Sequence, residues 1–310
     1  MATNLNLVKY TKCKFMDAID FISVNYDGTY HGDTHRWEYV KILHESIKKY
    51  INYPYTYYII NNGDNDSKNG GYSKLSEIFK DESNVKIIKG LDQKNYIKAD
   101  GYNLPGSRTG KFKFKDGRGG IHTHDGKSGD GRIIGIGSFT QACGMDIGTR
   151  EGNGKYICHC EPDVVFLNNW IDEILPLLEK NTFISYAWRP DLDSARACQW
   201  SIFERSLIEN PNNFYETPGD LYPNVNIQDT DSVISRYCKK KNLPFLITKN
   251  SYNNRSLKSM HVLNLNKGEQ GFLPYSNKPF VYHYGRGLTV TNDEYHRWIS
   301  ETTKYLKIKL

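Results

Sequence analysis

The chain has 310 residues, of which 38% are hydrophobic and 25% charged, and it carries a formal net charge of +6. That length and apolar content suit one α/β domain with insertions, and they exclude a chain that stays disordered for want of a core. No run approaches the roughly 18 apolar residues of a membrane span, and the N-terminal stretch lacks the apolar core of a secretory signal, so the expectation is a soluble, cytoplasmic protein.

Strands and helices alternate through the first half. "FISVNYDG" (21–28) is a short apolar run ending in turn residues. "THRWEYVKILHESIKKYI" (34–51) sets Trp37, Val40, Ile42, Leu43, Ile47 and Ile51 at helical spacing behind Thr34, a candidate cap. A strand over 55–67, a helix over 72–82 capped by Ser73, and a strand over 84–90 follow. From 91 to 136 the alternation stops in a glycine-rich, basic insertion, within which "KFKFK" suits a small hairpin. "GSFTQACGMDIGTREG" (137–152) predicts a helix, and "KYICHC" a buried strand. "LNNWIDEILPLLEK" predicts a helix with Trp170, Ile171, Ile174, Leu175 and Leu178 on one face, and "TFISYAWRP" (182–190) another strand. A capped helix near 229 and a final amphipathic helix, "NDEYHRWISETTKYL", complete the pattern. The fold class read from this is α/β, with helices on both faces of one sheet.

Six cysteines are scattered along the chain, at positions 13, 143, 158, 160, 198 and 238. Cys158 and Cys160 flank His159 on a strand, so they share the face that His159 avoids. Their spacing is wrong for a zinc pair on a turn, and reduced, buried thiols are expected. The modest positive charge favours an anionic partner (a nucleotide, a phosphorylated glycan or a nucleic acid), although solubility alone accounts for it equally well.

The chemistry concentrates at Glu161-Pro162-Asp163, two carboxylates one residue apart where an apolar strand ends. Ligands bind α/β sheets at the carboxyl ends of the strands, and carboxylate oxygens are hard ligands suited to Mg²⁺ or Mn²⁺ carrying substrate phosphates. The competing reading makes the pair the cap of a helix beginning near Asn168. Three other candidates are weaker. "RPDLD" holds a second Asp-x-Asp at Asp191 and Asp193, read as an acceptor-side loop with Trp188 as a stacking platform. "HTHDG" lacks the remaining ligands of a metal site, and "HDGKSG" has Ile121 where a phosphate loop needs glycine.

"YICHCEPDVVFLNNW" resembles the metal-binding segment of GT-A-fold glycosyltransferases, with Glu-x-Asp in place of the usual Asp-x-Asp. The similarity is nearest to the family-2-like members and extends over about 20 to 290. "FISVNYDG" resembles their first strand and the turn over the nucleotide, and "IINNGDNDS" their second. "GSFTQACGMDIG" resembles the helix before the metal strand, "QDTDSVISRYCKKKNLP" the later acidic motif, and "VYHYGRG" a His-x-x-Gly segment. Asn61 departs from the aspartate common at its position, Gln228 replaces a usual glutamate, and the insertion has no counterpart.

The resemblance implies a single GT-A-like (Rossmann-like) domain over 1–310, with a nucleotide-sugar-binding half (20–170), an acceptor-side half (171–290) and a C-terminal helix (291–310). It implies a nucleotide-sugar donor, UDP-linked by family habit, held through Mn²⁺ or Mg²⁺. Asp163 is the candidate direct ligand, Glu161 binds directly or through water, and His283 is a further ligand or diphosphate contact. His283 has a second reading, as a histidine enclosed by Tyr282 and Tyr284. Asn25, Tyr26, Asp27, Asn61, Asn62 and Asp64 fall on the donor side with Arg286, which otherwise is a surface arginine. Asp229 is the candidate base for an inverting transfer. Asp231 is an acceptor-side acid or a helix cap, and Trp188 and Arg189 face the acceptor. The acceptor is a saccharide, a protein or a hydroxymethylated base in DNA. The alternatives are a sugar nucleotidyltransferase and a non-catalytic carbohydrate or nucleic-acid binding module.

Overall fold

The computed structural model describes residues 15–26, 37–63, 68, 70–92, 97–98, 112–115, 121–124, 136–189, 193–208, 233–251, 255–265, 267–285 and 291–310. The first half runs β1 (Met16–Tyr26), α1 (Glu38–Tyr50), β2 (Tyr55–Gly63), α2 (Gly71–Ile78) and β3 (Val85–Asp92). Three short strands follow, β4 (Ile97–Lys98), β5 (Phe112–Lys115) and β6 (Ile121–His124), then α3 (Ile136–Glu151) and β7 (Gly154–Cys160). The second half holds β8 (Val164–Phe166), α4 (Ile171–Ile174), β9 (Phe183–Ser185), β10 (Trp188–Arg189), β11 (Ser194–Ala195) and β12 (Trp200–Glu204). It ends with α5 (Val233–Lys240), β13 (Phe245–Ile247), β14 (Glu269–Phe272), β15 (Pro279–His283) and α6 (Asn292–Leu306).

Among the described residues, seven strands form the main sheet in the order β13-β9-β12-β7-β1-β2-β3. β1 is parallel to β2 and β7, β2 to β3, and β13 to β9; β12 alone opposes its neighbours. Six strand ends therefore share one edge. Side chains alternate across the sheet as a period of two requires. Ile19, Phe21, Tyr57 and Ile59 pack with Val40, Leu43 and Ile47 of α1 and Leu75 of α2 on one face. Ile22, Val24, Tyr58 and Ile60 pack with Met145 of α3 and Ile234 and Cys238 of α5 on the other. The architecture is thus of the expected α/β class, a mixed sheet with helices on both faces.

α3 lies very close to the sheet because it presents glycine there. A methyl group at Gly148 would stand 2.5 Å from Ile22 Cγ2, and one at Gly144 2.7 Å from Val24 Cγ2. At the opposite edge from the site, the Arg205 guanidinium ties three elements together. It donates to Gly154 O at 2.7 Å and Thr149 O at 2.5 Å, and pairs with Asp20 Oδ2 at 2.5 Å.

A second, antiparallel sheet of β14, β15 and β8 sits beside the main one. Its outer face, with Val165, Tyr282 and Tyr284, packs against Tyr295 and Trp298 of α6 and Ile42 of α1. Thr291 and Glu294 close a capping box at the start of α6. The "KFKFK" hairpin is present in the backbone, with β5 pairing antiparallel to both β4 and β6.

Several local expectations need correction. α2 begins at Gly71 with Gly70 as N-cap, so Ser73 lies inside the helix and is not its N-cap. The stretch 182–190 is two strands, because the chain leaves the main sheet after Ser185 and re-pairs only with β11. The helix after Trp170 tightens to a 3-10 turn over Leu175–Glu179, where Pro176 withholds an amide hydrogen. Leu175 is only partly buried, unlike Trp170, Ile171, Ile174 and Leu178. The proposed caps Thr34 and Asp231 lie outside the described residues. All five described cysteines are buried free thiols, with Cys158 and Cys160 Sγ 3.8 Å apart.

Candidate metal and donor site

β7 delivers Glu161 to the shared edge of the main sheet. Glu161 N donates to Gln199 O at 3.2 Å, and Val164 N closes a turn on Glu161 O at 3.1 Å. Pro162 occupies the second position of that turn, where its fixed φ is favoured. The chain then enters the second sheet, where Val164 faces His283 directly across the β8–β15 ladder. Tyr284 N donates to Asp163 O at 3.1 Å and extends the pairing by one residue.

This backbone arrangement brings three side chains together. His283 Nε2 lies 2.7 Å from Glu161 Oε2 and 3.3 Å from Asp163 Oδ1. His283 and Asp163 are buried, while the Glu161 side chain remains 25% exposed and so faces the opening. Gln141 on α3 donates to the other Glu161 oxygen at 3.4 Å. Burial disfavours charge on the His283 imidazole, but the Asp163 and Glu161 carboxylates overcome it and hold the pKa well above its ordinary value of 6.5. Ligand atoms of the three residues all lie within 4.8 Å of one another. Among the described residues, neither imidazole nitrogen completes a well-aligned hydrogen bond. Two carboxylate oxygens and one imidazole nitrogen this close together are a donor set that fits a divalent cation such as Mn²⁺ or Mg²⁺.

The helix-cap reading of Glu161 and Asp163 fails, because β8 separates them from α4, whose first amide is met by Asn169 Oδ1 at 3.0 Å. His283 is not enclosed by Tyr282 and Tyr284 either, since both tyrosines turn to the opposite face and join the α6 cluster. A second group of potential ligands, His44, Glu45 and Glu82, is filled by Lys48, whose ammonium lies 3.3 Å from Glu45 and 2.8 Å from Glu82.

Of the residues expected to face a donor, Asn25 Nδ2 donates to Asn61 Oδ1 at 3.0 Å across the ends of β1 and β2. Asn62 Oδ1 accepts from Leu91 N at 2.8 Å, which fixes the neighbouring strand end. Tyr26 is half-buried beside them. Trp188 stacks on Phe245, centroids 6.1 Å apart, and the Lys239 ammonium stands 4.7 Å from its ring centroid. Asp193 pairs with Lys239. Asp27, Asp64, Asp191, Asp229, Asp231 and Arg286 lie outside the described residues, as does the Arg189 side chain.

The sequence reading missed Gln141, and it missed the Arg196–Glu269 ion pair, 2.8 Å, which adjoins the cluster. The signal was available in "GEQGFLPYSNKPFVYH", two apolar-alternating runs around a turn, whose hairpin sets Glu269 opposite His283.

No protein-family model and no curated protein matches the sequence. Solved structures with a similar arrangement include the galactosyltransferase LgtC in complex with donor and acceptor sugar analogues, at 12% identity and TM-score 0.47, covering 93% of this chain and 95% of that one. The glycosyltransferase GlyE of Streptococcus pneumoniae is similar at 11% identity and TM-score 0.42, covering 94% of this chain and 62% of that one. S. aureus TarS 1–349 is similar at 10% identity and TM-score 0.36, covering 71% of this chain. The chain spans 55% of the TarS fragment's length.

Proposed function

We propose that the protein is a metal-dependent glycosyltransferase that moves a sugar from a UDP-linked donor to an acceptor hydroxyl. The convergence of Glu161, Asp163 and His283 at the edge where six strands of the mixed sheet end carries this reading. A divalent cation bound there would neutralise charge that grows on a departing diphosphate. Asp163 and His283 would hold it from the buried side, and Glu161, steadied by Gln141, from the open side. Asn25, Tyr26, Asn61 and Asn62 line the adjoining strand ends, where the nucleoside would lie. Asp229 is proposed as the base that takes the acceptor's proton. A saccharide is the proposed acceptor; a hydroxymethylated DNA base rests on the basic 91–136 insertion, most of which lies outside the described residues.

The test is a screen of nucleotide sugars for binding and slow hydrolysis with Mn²⁺, Mg²⁺ or EDTA, comparing wild type with Asp163→Asn. Metal-dependent turnover of one donor, lost in the variant, is the expected result. Release of pyrophosphate from a nucleoside triphosphate and a sugar phosphate would replace this reading with a nucleotidyltransferase. Failure of every nucleotide sugar to bind with any metal would overturn it.

A further inference from the structure

Glu269 is the direct antiparallel partner of His283 in the β14–β15 ladder. Residues opposed in this way project to the same face with Cβ atoms roughly 5 Å apart. That face looks onto the edge of the main sheet, since the next pair along it, Gly271 and Val281, meets Tyr186. Glu269 therefore extends the Glu161, Asp163 and His283 cluster sideways, toward the acceptor half.

Arg196 fixes the carboxylate there. Its Nη1 lies 2.8 Å from Glu269 Oε1, and each side chain is only 17% exposed. The arginine is itself anchored, since its amide donates to Ala187 O at 2.9 Å and its carbonyl accepts from Ser185 Oγ at 3.3 Å. The second carboxylate oxygen, Oε2, is buried and has no hydrogen-bond partner among the described residues. A carboxylate is an acceptor only, and leaving one buried oxygen unmet is costly. The missing partner is a donor, and the neighbouring cluster suits a diphosphate whose attached group carries several hydroxyls.

We propose that Glu269, held by Arg196, is a specificity-determining residue that accepts a hydrogen bond through Oε2 from a hydroxyl of the transferred sugar. The inference rests on the glycosyltransferase reading and adds to it the contact that selects among sugars. Arg196 acts through Glu269 and is a positioning residue.

The experiment measures affinity for UDP and for the preferred UDP-sugar, both with Mn²⁺, in wild type, Glu269→Gln and Arg196→Met. Affinity for UDP stays unchanged in both variants, while affinity for the UDP-sugar falls roughly tenfold or more. A set of singly deoxygenated donors supplies the second readout: one binds wild type roughly tenfold more weakly, and that penalty disappears in Glu269→Gln. Equal loss of UDP and UDP-sugar binding would reduce the pair to a support for the metal cluster and overturn the proposal. So would unchanged binding of both. If wild type binds neither UDP nor any UDP-sugar, the glycosyltransferase reading falls, and this inference falls with it.

Discussion

Asp163 and His283 meet because their backbones pair, not because their side chains seek each other: Tyr284 N donates to Asp163 O, and the imidazole then lies 3.3 Å from the carboxylate. The cluster is therefore set by the backbone, and the proposed cation would enter it by displacing the proton that the two carboxylates hold on His283. Mn²⁺ at a hundred times its dissociation constant adds about 2.7 kcal/mol to stability, which raises the melting temperature by several degrees. The shift is absent with EDTA, in Asp163→Asn and in His283→Ala. Thermal unfolding read by circular dichroism measures it, and a wild type indifferent to Mn²⁺ would contradict the metal assignment.

Gly148 tests the close approach of α3 to the sheet. Gly148→Ala places a methyl group 2.5 Å from Ile22 Cγ2, inside a branched side chain that cannot turn away. Overpacking of this kind costs about 1–3 kcal/mol, despite alanine's better helix propensity. A lowered urea midpoint with unchanged slope is the expected result.

Arg205 shields a buried carboxylate. Asp20 is wholly buried; desolvation pushes its pKa up while Arg205 and the Gly154 amide pull it back. Arg205→Met strands that group and costs about 3–5 kcal/mol. The double variant Asp20→Asn with Arg205→Met loses less than the two single changes added together, because one buried charge is no longer left without the other. Denaturant unfolding of all four proteins checks the cycle.

His44 sets a pH dependence. It is wholly buried and stacked on Tyr57 with centroids 5.8 Å apart, and desolvation lowers its pKa from 6.5 to about 4, with Glu82 opposing and Lys48 reinforcing. In that window the unfolded chain binds the proton that the folded chain refuses. Stability from this residue is thus complete above pH 6.5 and declines as pH falls toward about 4, by at most about 1.4 kcal/mol per pH unit. His44→Phe keeps a ring against Tyr57 and Phe79 and should flatten the slope. Urea midpoints from neutrality down to about pH 5 provide the comparison.

The sequence carried the local half of this structure well. The runs at β1, β2 and β3 and the 3.6-residue stripe of α6 are strong periodic signals, because each buries one face against a large core. Glu161 and Asp163 were visible for the same reason, as charges ending an apolar strand. Val164–Phe166 was not, since three apolar residues leading toward a helix look alike whether they pair with a strand or begin a turn. Its partner, β15, lies far along the chain, and nothing local in either segment specifies the register. Glu269 was missed by the same route: an acid in "GEQGF" is unremarkable until the ladder sets it beside an imidazole.

That long-range ladder has a consequence for biosynthesis. A growing polypeptide that has emerged as far as Phe272 already holds β1, β2 and β7, yet it lacks the strand that brings His283 to Asp163. The Glu161, Asp163 and His283 trio is then completed only once residues 279–283 have emerged, after the strands of the sheet beside it.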